Sequence, residues 1–477
     1  MELATLCAES GAPLEPLARL DGVEVSDLSL RLDRVSSGTF FACVPGSSLD
    51  GHELATVAAE RGATALLVER PLAEVALPQV QTERVRAVLG PLAHVLCGRP
   101  SDHLSVVGVT GTNGKTTTSF LLSAMFDAAG RRSGLLGTVE ARIGGTREPL
   151  SLTTPEAPDL HRLLARMREA GDQACVLEAS SIAISMGRLD AVRFAAVGFT
   201  NLSQDHLDFH GSMDDYLAAK AALFDGRCPR AVNADDPAGS ALAAELRYGV
   251  DMPSDVWAHR VQLGSDGMQL EVETPRGTLA IESPLRGRFN VENLLCAISL
   301  ALLVDLPDDA IVAGAASVGA PPGRFEPVEA GQPFAVIVDY AHTPTGIDAV
   351  LRSARALAGG RVICVFGAGG DRDRAKRPLM GAAAEAGADR VYVTNDNPRS
   401  EDPLAILAEI VSGLGRRELV TVEPDRRIAI GLALAEAEAG DVVVICGKGH
   451  EQGQEVAGVV HPFDDRSVAG ELLRGGL

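Results

Sequence analysis

Residues 106–122 contain a β-branched run, a glycine-bearing turn and a lysine in the order found at phosphate-binding loops. The β-branched run predicts a buried strand, and the residues from Thr117 onward predict a helix. In the turn, GTNGKTT (111–117), glycines let backbone N–H groups surround a phosphate at the positive end of the helix. Lys115 can then reach the outer phosphates, and the Thr116 hydroxyl can coordinate Mg²⁺. The segment therefore predicts an ATP site, although its first glycine stands elsewhere than in the common Walker pattern.

Two later strands end in residues that suit a metal ion. The segment CVLEASS (175–181) ends its strand in the carboxylate of Glu178, and TNLSQDHLDFHG (200–211) is dense in oxygen and imidazole ligands. Mg²⁺ takes few protein ligands, mainly carboxylates, and completes its octahedron with phosphate oxygens and water. Glu178 and His206 are therefore candidate ligands. Each alone reads equally well as a surface loop residue, but the cluster downstream of a phosphate loop favours the metal site.

Lys220 lies in a predicted helix that is otherwise apolar around it, AAKAALF (218–224). Its commonest role there is to extend its ammonium to solvent along an apolar stem. The alternative is that burial keeps the amine partly neutral, so that it takes up CO₂ as a carbamate and becomes a carboxylate-like metal ligand. The residues alone leave both readings open.

The last third of the chain places polar loops directly after strands predicted at 335–339, 362–366, 390–394 and 442–446. These loops are VDYAHTP (338–344), GAGGDRDRAKRP (367–378), DNPR (396–399) and GKGHE (447–451). Arg399 presents a guanidinium suited to bidentate binding of a carboxylate, and Glu451 can face an ammonium. The basic loop at 371–377, in an acidic protein, favours an anionic ligand, with a solvated surface loop as the alternative.

Composition limits the classes of function. The 477 residues carry a formal net charge of −21, which argues against nucleic acid or an anionic membrane as the main partner. No apolar run approaches the roughly 20 residues that span a bilayer, and the N-terminus has no signal pattern. The eight cysteines stand singly, as in reduced cytoplasmic proteins. We therefore expect a cytoplasmic protein that acts on small molecules.

Strand and helix signals alternate through three segments, which predicts an α/β fold with mostly parallel sheets. We expect an N-terminal domain at 1–100, a linker at 99–101, a central ATP-binding domain at 101–324 and a C-terminal domain at 325–477. In open α/β sheets, ligands bind beyond the carboxyl ends of the strands, where the polar loops are expected.

Taken in order, these motifs, together with PGRFE (322–326), resemble those of the Mur ligases. DNPR narrows the resemblance to the branch that adds diaminopimelate. The resemblance implies three α/β domains: a small N-terminal domain for a UDP-sugar, a central P-loop ATPase-like domain and a Rossmann-like C-terminal domain for the amino acid. It implies an ATP- and Mg²⁺-dependent ligase of peptidoglycan precursor synthesis, acting as a monomer. Such an enzyme joins diaminopimelate, most commonly the meso form, to the D-Glu carboxylate of UDP-MurNAc-L-Ala-D-Glu through an acyl phosphate.

The resemblance also implies roles residue by residue. Nucleotide contacts are expected from Gly111, Thr112, Asn113, Gly114, Lys115, Thr116, Thr117, Asn293, Arg324, Asp339 and His342. Metal ligands are expected at Thr116, Glu178, His206 and Lys220 (as a carbamate), and catalytic roles at Lys115, Lys220, His206 and Glu178. Contacts to the sugar-peptide substrate are expected from Leu30, Ser47, Thr153, Thr154, Ser180 and Arg188. Contacts to diaminopimelate are expected from Arg372, Asp396, Asn397, Pro398, Arg399, Gly447 and Glu451.

The chain departs from the family pattern on the nucleotide-sugar side. The family usually has Asp-Ser-Arg before the first-domain strand, where this sequence has Arg31-Leu32-Asp33, and it usually has histidine where Ile182 stands. These differences leave three alternatives open. They are a divergent Mur-type ligase with another carboxylate acceptor, a related folylpolyglutamate synthase, and a non-catalytic nucleotide-binding scaffold. The retained lysine and candidate metal ligands argue against the scaffold.

Overall fold

The computed structural model describes residues 1–46 and 49–475. The strands are β1 (Glu15–Pro16), β2 (Asp27–Ser29), β3 (Thr39–Ala42), β4 (Ala63–Val68), β5 (Gln79–Gln81), β6 (Ser105–Thr110), β7 (Ser133–Leu136), β8 (Ala141–Ile143), β9 (Thr146–Glu148), β10 (Ala174–Glu178), β11 (Phe194–Phe199), β12 (Arg230–Asn233), β13 (Leu246–Gly249), β14 (Val256–Gly264), β15 (Gly267–Thr274), β16 (Gly277–Ser283), β17 (Glu326–Pro327), β18 (Ala335–Asp339), β19 (Val362–Phe366), β20 (Arg390–Val393), β21 (Val420–Val422), β22 (Val442–Cys446), β23 (Gly453–Val456) and β24 (Val459–Pro462).

The helices are α1 (Leu3–Ser10), α2 (Ala55–Glu60), α3 (Val85–Leu96), α4 (Lys115–Ala128), α5 (Ala157–Glu169), α6 (Ser181–Ser185), α7 (Leu207–His210), α8 (Met213–Ala221), α9 (Pro237–Ala241), α10 (Phe289–Leu303), α11 (Asp308–Ser317), α12 (Pro344–Leu357), α13 (Lys376–Gly387), α14 (Pro403–Val411), α15 (Arg426–Glu436) and α16 (Asp465–Gly475). Within the described ranges, no helix combines the length and the apolar character needed to cross a bilayer.

The chain divides into two compact units. The first comprises residues 1–110, 130–197 and 219–229. It contains a sheet in the order β1-β5-β4-β3-β2, parallel except for the pairing of β1 with β5. Alternate residues of β3 and β4 enter two cores, one shared with α1 and α3 and the other with α2. In the same unit, β10 pairs in parallel with β6 and β7, and β8 and β9 continue as an antiparallel ribbon.

The second unit comprises residues 111–129, 198–218 and 230–477. It begins with the turn that precedes α4, and β12, β13 and β14 pair in parallel. The strands β14, β15 and β16 then form an antiparallel ribbon. Because α10 is buried on nearly every face, its residues supply much of this unit's core.

The C-terminal part of the second unit has a sheet in the order β17-β18-β22-β19-β20-β21, parallel except for β17. Its strands alternate strictly between two apolar cores, so Cys364 and Phe366 face one core whereas Ile363 and Val365 face the other. Helices α12, α13 and α14 pack on the first core, and α15 and α16 on the second. The carboxyl ends of β18, β22, β19 and β20 therefore lie side by side and carry the four polar loops.

The predicted α/β fold with parallel-rich sheets is confirmed, and three details differ from the expectation. The antiparallel ribbons β7–β9 and β14–β16 were not predicted. Residues 99–101, expected as a linker, lead into a 3₁₀ turn in which Pro100 and Ser101 are buried. The α4 helix begins at Lys115, two residues before the expected start. The domain limits at 100 and 324 remain a prediction.

Candidate active site

Residues 111–114 form the turn between β6 and α4, and side chains from the segment after β11 support it. The carbonyl oxygen of Asn113 accepts a hydrogen bond from Thr200 Oγ1 (2.6 Å), and its N–H donates to Asn201 Oδ1 (2.9 Å). Thr112 Oγ1 accepts from the N–H of Ser203 (3.0 Å). Lys115 Nζ donates to the carbonyl oxygens of Gly111 and Thr112, both at 2.9 Å, at the start of the helix. The turn is thus held in shape by its own lysine and by residues 200–203.

Gly114 is the residue whose backbone makes this turn possible. It caps α4 at φ +89°, a left-handed conformation that costs other residues about 1–2 kcal/mol. A Cβ at this position would also overlap Asn293 Oδ1. Asn293 is buried and cannot easily move, because its Nδ2 donates to Asn290 Oδ1 at 2.8 Å.

We therefore expect Gly114→Ala to weaken ATP binding at least about tenfold, equivalent to about 1.4 kcal/mol. Gly130→Ala is the matched control, since Gly130 also has positive φ (+71°) but nothing lies within 4 Å of its added Cβ. Titration of both variants with a fluorescent ATP analogue checks this. Equal affinity in the two variants would mean that the contact with Asn293 does not shape the site.

Arg324 links the phosphate turn to the C-terminal part of the second unit. Its Nη2 donates to Thr116 Oγ1 (3.2 Å), and its guanidinium carbon lies 4.4 Å from the centre of the Tyr340 ring. Asp339, at the end of β18, accepts from the N–H groups of Phe325 and Ala341, both at 2.7 Å. Burial raises the pKa of Asp339, although Arg324 and these two N–H groups oppose the rise.

Asp205 is a buried carboxylate surrounded by three basic side chains. Its oxygens lie 3.1 Å from Lys376 Nζ and 3.4 Å from Nε2 of both His342 and His206. Burial alone would raise the pKa of Asp205, but the hydrogen bond from His342 and the nearby charges hold it well below its usual range. His342 Nδ1 is 2.8 Å from the carbonyl oxygen of Tyr340, which fixes the ring. Two predicted residues, His206 and His342, are therefore brought together by an aspartate and a lysine that sequence reasoning missed.

In the first unit, Glu178 ends β10 with its side chain 1% exposed. Its Oε1 accepts from the N–H of Thr138 (3.0 Å) and its Oε2 from the Thr138 hydroxyl (2.8 Å). That hydroxyl is 3.1 Å from the hydroxyl of Thr153, so this predicted substrate contact adjoins the predicted metal ligand.

Three more of the residues predicted to bind the sugar-peptide substrate, Thr154, Ser180 and Arg188, lie near Glu178. Thr154 Oγ1 donates to the carbonyl oxygen of Glu178 (2.7 Å) and lies 3.1 Å from Ser180 Oγ. Arg188 donates to the carbonyl oxygen of Thr154 (3.1 Å) and pairs with Glu156 (2.9 Å). This ordered row of hydroxyl groups and one guanidinium can bind a polar, anionic substrate.

Two further predicted residues, Lys220 and Leu30, lie in the first unit. Lys220 is 1% exposed, so the reading that its ammonium extends to solvent is wrong. Leu30 packs against the N-terminal core. Ser47 lies outside the described residues, and its predicted substrate contact stays a prediction.

The loops after β19 and β20 approach each other closely around Arg399. A Cβ at Gly370 would overlap the carbonyl oxygen of Pro398, so only glycine fits there. Arg399 Nη1 donates to the carbonyl oxygen of Gly370 (2.6 Å), and its Nε lies 3.5 Å from Glu455. Arg399 has φ +55°, and its backbone pairs with the β23–β24 hairpin through Glu455 O and Ala457 N. The guanidinium is therefore held by the Gly370 carbonyl oxygen and the Glu455 carboxylate, while the hairpin fixes the Arg399 main chain.

Asn397 and Glu451 meet at the same end of the sheet. Asn397 Nδ2 donates to Glu451 Oε2 at 2.7 Å, and both side chains contact Lys448, whose Nζ is 3.0 Å from Asn397 Oδ1. Gly447 precedes this lysine at φ +114°, where a Cβ would overlap Asp396 Oδ2. The predicted residues of DNPR and GKGHE thus converge, together with Lys448, which sequence reasoning missed.

The basic loop at 371–377 is largely neutralised by internal ion pairs. Arg377 is buried and pairs with Glu401 and Glu409, each at 2.7 Å, while Arg374 also pairs with Glu409. The hydrogen bond from Arg377 lowers the pKa of Glu401 to about 2. Arg372 is exposed and donates only to the carbonyl oxygen of Asp371 (3.1 Å) among the described residues. That this loop binds an anionic ligand stays a prediction, and it now depends mainly on Arg372.

Comparisons with known proteins agree with this geometry. Residues 109–301 match the Mur ligase middle domain, and residues 323–449 match the Mur ligase, glutamate ligase domain. The chain is 42% identical over 475 residues to the UDP-N-acetylmuramoyl-L-alanyl-D-glutamate–2,6-diaminopimelate ligase of Solibacter usitatus, covering 97% of this chain and 96% of that one. It is 44% identical over 465 residues to the ligase of the same name from Syntrophomonas wolfei, covering 95% of each. A solved structure of a ligase with this name superposes with a TM-score of 0.67 at 32% identity, over 97% of both chains.

Proposed function

The chain belongs to the Mur ligase family, and from that premise we propose that it joins diaminopimelate to the D-Glu carboxylate of UDP-MurNAc-L-Ala-D-Glu at the expense of ATP. The product is a precursor of peptidoglycan. The observation that carries the proposal is the convergence of Arg399, Asn397 and Glu451 at the carboxyl ends of β20 and β22. A guanidinium and a carboxylate at one site suit an amino acid with a second carboxylate and a second ammonium, and L-lysine lacks that second carboxylate.

The phosphate turn provides the energy-coupling half of the reaction. The γ-phosphoryl group of ATP passes to the D-Glu carboxylate, which releases ADP and forms an acyl phosphate. The substrate amine then attacks the acyl carbon, loses a proton and displaces phosphate to give the amide. Carboxylate and γ-phosphate repel each other, so positive charge is needed where they meet. Lys115 at the start of α4 supplies it, with the N–H groups of the turn.

We propose that Mg²⁺ is held by Thr116, Glu178, His206 and Lys220, the last as a carbamate. Among the described residues, no three His, Cys, Asp or Glu side chains form a metal cage. A set rich in oxygen donors with few carboxylates suits Mg²⁺, which keeps waters and takes phosphate oxygens. When bound, the ion neutralises charge on the phosphate and the carboxylate.

We also propose the division of labour among the domains. Residues 1–100 bind the UDP-sugar, residues 101–324 bind ATP, and residues 325–477 bind the amino acid. The hydroxyl row of Thr153, Thr154 and Ser180 with Arg188 suits the muramoyl-dipeptide. The substrates are small molecules, and we propose a monomeric enzyme.

Phosphate release with UDP-MurNAc-L-Ala-D-Glu, ATP and Mg²⁺ tests the proposal, comparing meso-diaminopimelate with L-lysine. We expect turnover to require both acceptor and amine, with kcat/KM for lysine at least about 100-fold lower, because loss of one charge-assisted pair costs about 3 kcal/mol. Phosphate release without an amine would contradict the proposal. ATP binding without turnover on either amine would instead point to another carboxylate acceptor.

A further inference from the structure

Lysine is rare in this chain and is confined to motifs. Of the 43 Lys and Arg residues only four are lysines, at positions 115, 220, 376 and 448. Lys115 and Lys220 have roles in the proposed reaction, and Lys376 pairs with Asp205. Lys448 has no assigned role. An ammonium is a compact donor of three hydrogen bonds and a guanidinium is a planar fork, so the two are not interchangeable at a buried site.

Lys448 is fully buried at the amino-acid site, with 0% of its side chain exposed. Its Nζ lies 2.6 Å from the carbonyl oxygen of Gly453, 3.0 Å from Asn397 Oδ1 and 3.1 Å from Glu451 Oε2. An ammonium has three N–H donors, so the three acceptors satisfy it completely. Two of these three acceptors, Asn397 and Glu451, belong to residues predicted to bind the substrate.

The lysine fixes which way the Asn397 amide points. Asn397 Oδ1 accepts from Lys448 Nζ and from the N–H of Glu455, both at 3.0 Å. Both partners are donors only, so the oxygen must face them and Nδ2 must face the carboxylate of Glu451. With the ammonium removed, one of the two contacts that define this orientation is lost.

Lys448 also restricts the carboxylate of Glu451. Glu451 Oε2 accepts from both Lys448 and Asn397, whereas Oε1 accepts no hydrogen bond within the part of the chain that the structure describes. The side chain is 30% exposed, so Oε1 remains accessible to a ligand. One oxygen is therefore anchored while the other is directed to the site.

We propose that Lys448 is a positioning residue that orients Asn397 and Glu451 for the amine end of the amino-acid substrate. The inference rests on the proposed function and extends it. Lys448 does not touch the substrate, because its three donors are already used inside the protein. Its effect passes through the geometry of the two side chains that do.

The test is Lys448→Met, which keeps side-chain length and removes the charge. We expect the KM for diaminopimelate to rise about 30-fold or more, while the KM for ATP changes less than about twofold. If Lys448 had only a structural role, the substitution would change the KM for both diaminopimelate and ATP, or would lower only the melting temperature. Arg427→Met is the matched control, because Arg427 forms an exposed pair with Glu471 (2.9 Å, 48% and 55% exposed) and should leave all constants unchanged.

A double-mutant cycle with Glu451→Gln sharpens the test. If Lys448 acts through Glu451, the double variant should be no worse than the poorer single variant, whereas additive losses would overturn the inference. If Lys448→Met does not fold, Lys448→Gln is measured in its place, because glutamine retains two N–H donors. We again expect a higher KM for diaminopimelate and a nearly unchanged KM for ATP. If the wild-type enzyme turns over diaminopimelate and the variant has the same KM for diaminopimelate, this inference alone is overturned. A wild-type enzyme without diaminopimelate-dependent turnover overturns both proposals.

Discussion

Replacing Lys115 by methionine is expected to lower kcat about 10³-fold, equivalent to about 4 kcal/mol of lost transition-state stabilisation. Lys115 is the first residue of α4, and its Nζ lies 2.9 Å from the carbonyl oxygens of Gly111 and Thr112, at the mouth of the phosphate turn. Negative charge builds up where the acceptor carboxylate approaches the γ-phosphate, and an uncharged side chain cannot offset it. Steady-state phosphate release under saturating substrates measures the loss.

The fold and the nucleotide site should survive this change. Backbone N–H groups of the turn and the hydrogen bonds from Thr200, Asn201 and Ser203 remain, so we expect ADP affinity within about tenfold of the wild type. Arg131→Met, just beyond the C-terminal end of α4, is the control for loss of a cation away from the phosphate turn. If kcat of the Lys115→Met variant is within tenfold of the wild-type value, Lys115 is not a catalytic residue.

Strand positions and the polar loops could be predicted from the sequence because their signals are local. Four C-terminal strands were expected from β-branched runs, and β18, β19 and β22 have the expected bounds whereas β20 is one residue shorter. Residues 99–101 show where local signals fail. Arg-Pro-Ser predicts a linker turn, but whether that turn is buried depends on residues far away in the sequence. Pro100 and Ser101 are buried, so this turn is part of a packed unit.

The ion-pair networks of the site could not be predicted, because their partners are far apart in sequence. Lys448 contacts Asn397 across 51 residues, and Lys376 contacts Asp205 across 171. Charge counting therefore overestimated the basicity of the 371–377 loop, whose arginines are paired with Glu401 and Glu409. One signal was available, since a chain with only four lysines places two of them at these positions.

Replacing Arg399 by alanine is expected to raise the KM for diaminopimelate about 100-fold and to abolish most of the preference over L-lysine. The guanidinium is preorganised, since Nη1 donates to Gly370 O at 2.6 Å and the backbone is pinned to the β23–β24 hairpin. Loss of a charge-assisted pair with a carboxylate costs about 3 kcal/mol, which corresponds to this factor. The KM for lysine should change little, because lysine lacks the carboxylate that Arg399 binds.

The ratio of the two kcat/KM values separates this role from a structural one. A destabilised loop would impair both amines alike, whereas loss of the carboxylate contact impairs only diaminopimelate. Arg352→Ala is the matched control, because Arg352 is exposed on α12 and pairs only with Asp348 four residues earlier (3.0 Å) among the described residues. Equal losses for diaminopimelate and lysine in Arg399→Ala would assign selectivity to another group. Arg372, the exposed guanidinium of the neighbouring loop, would then be the next residue to replace, since it is the other arginine predicted to contact diaminopimelate.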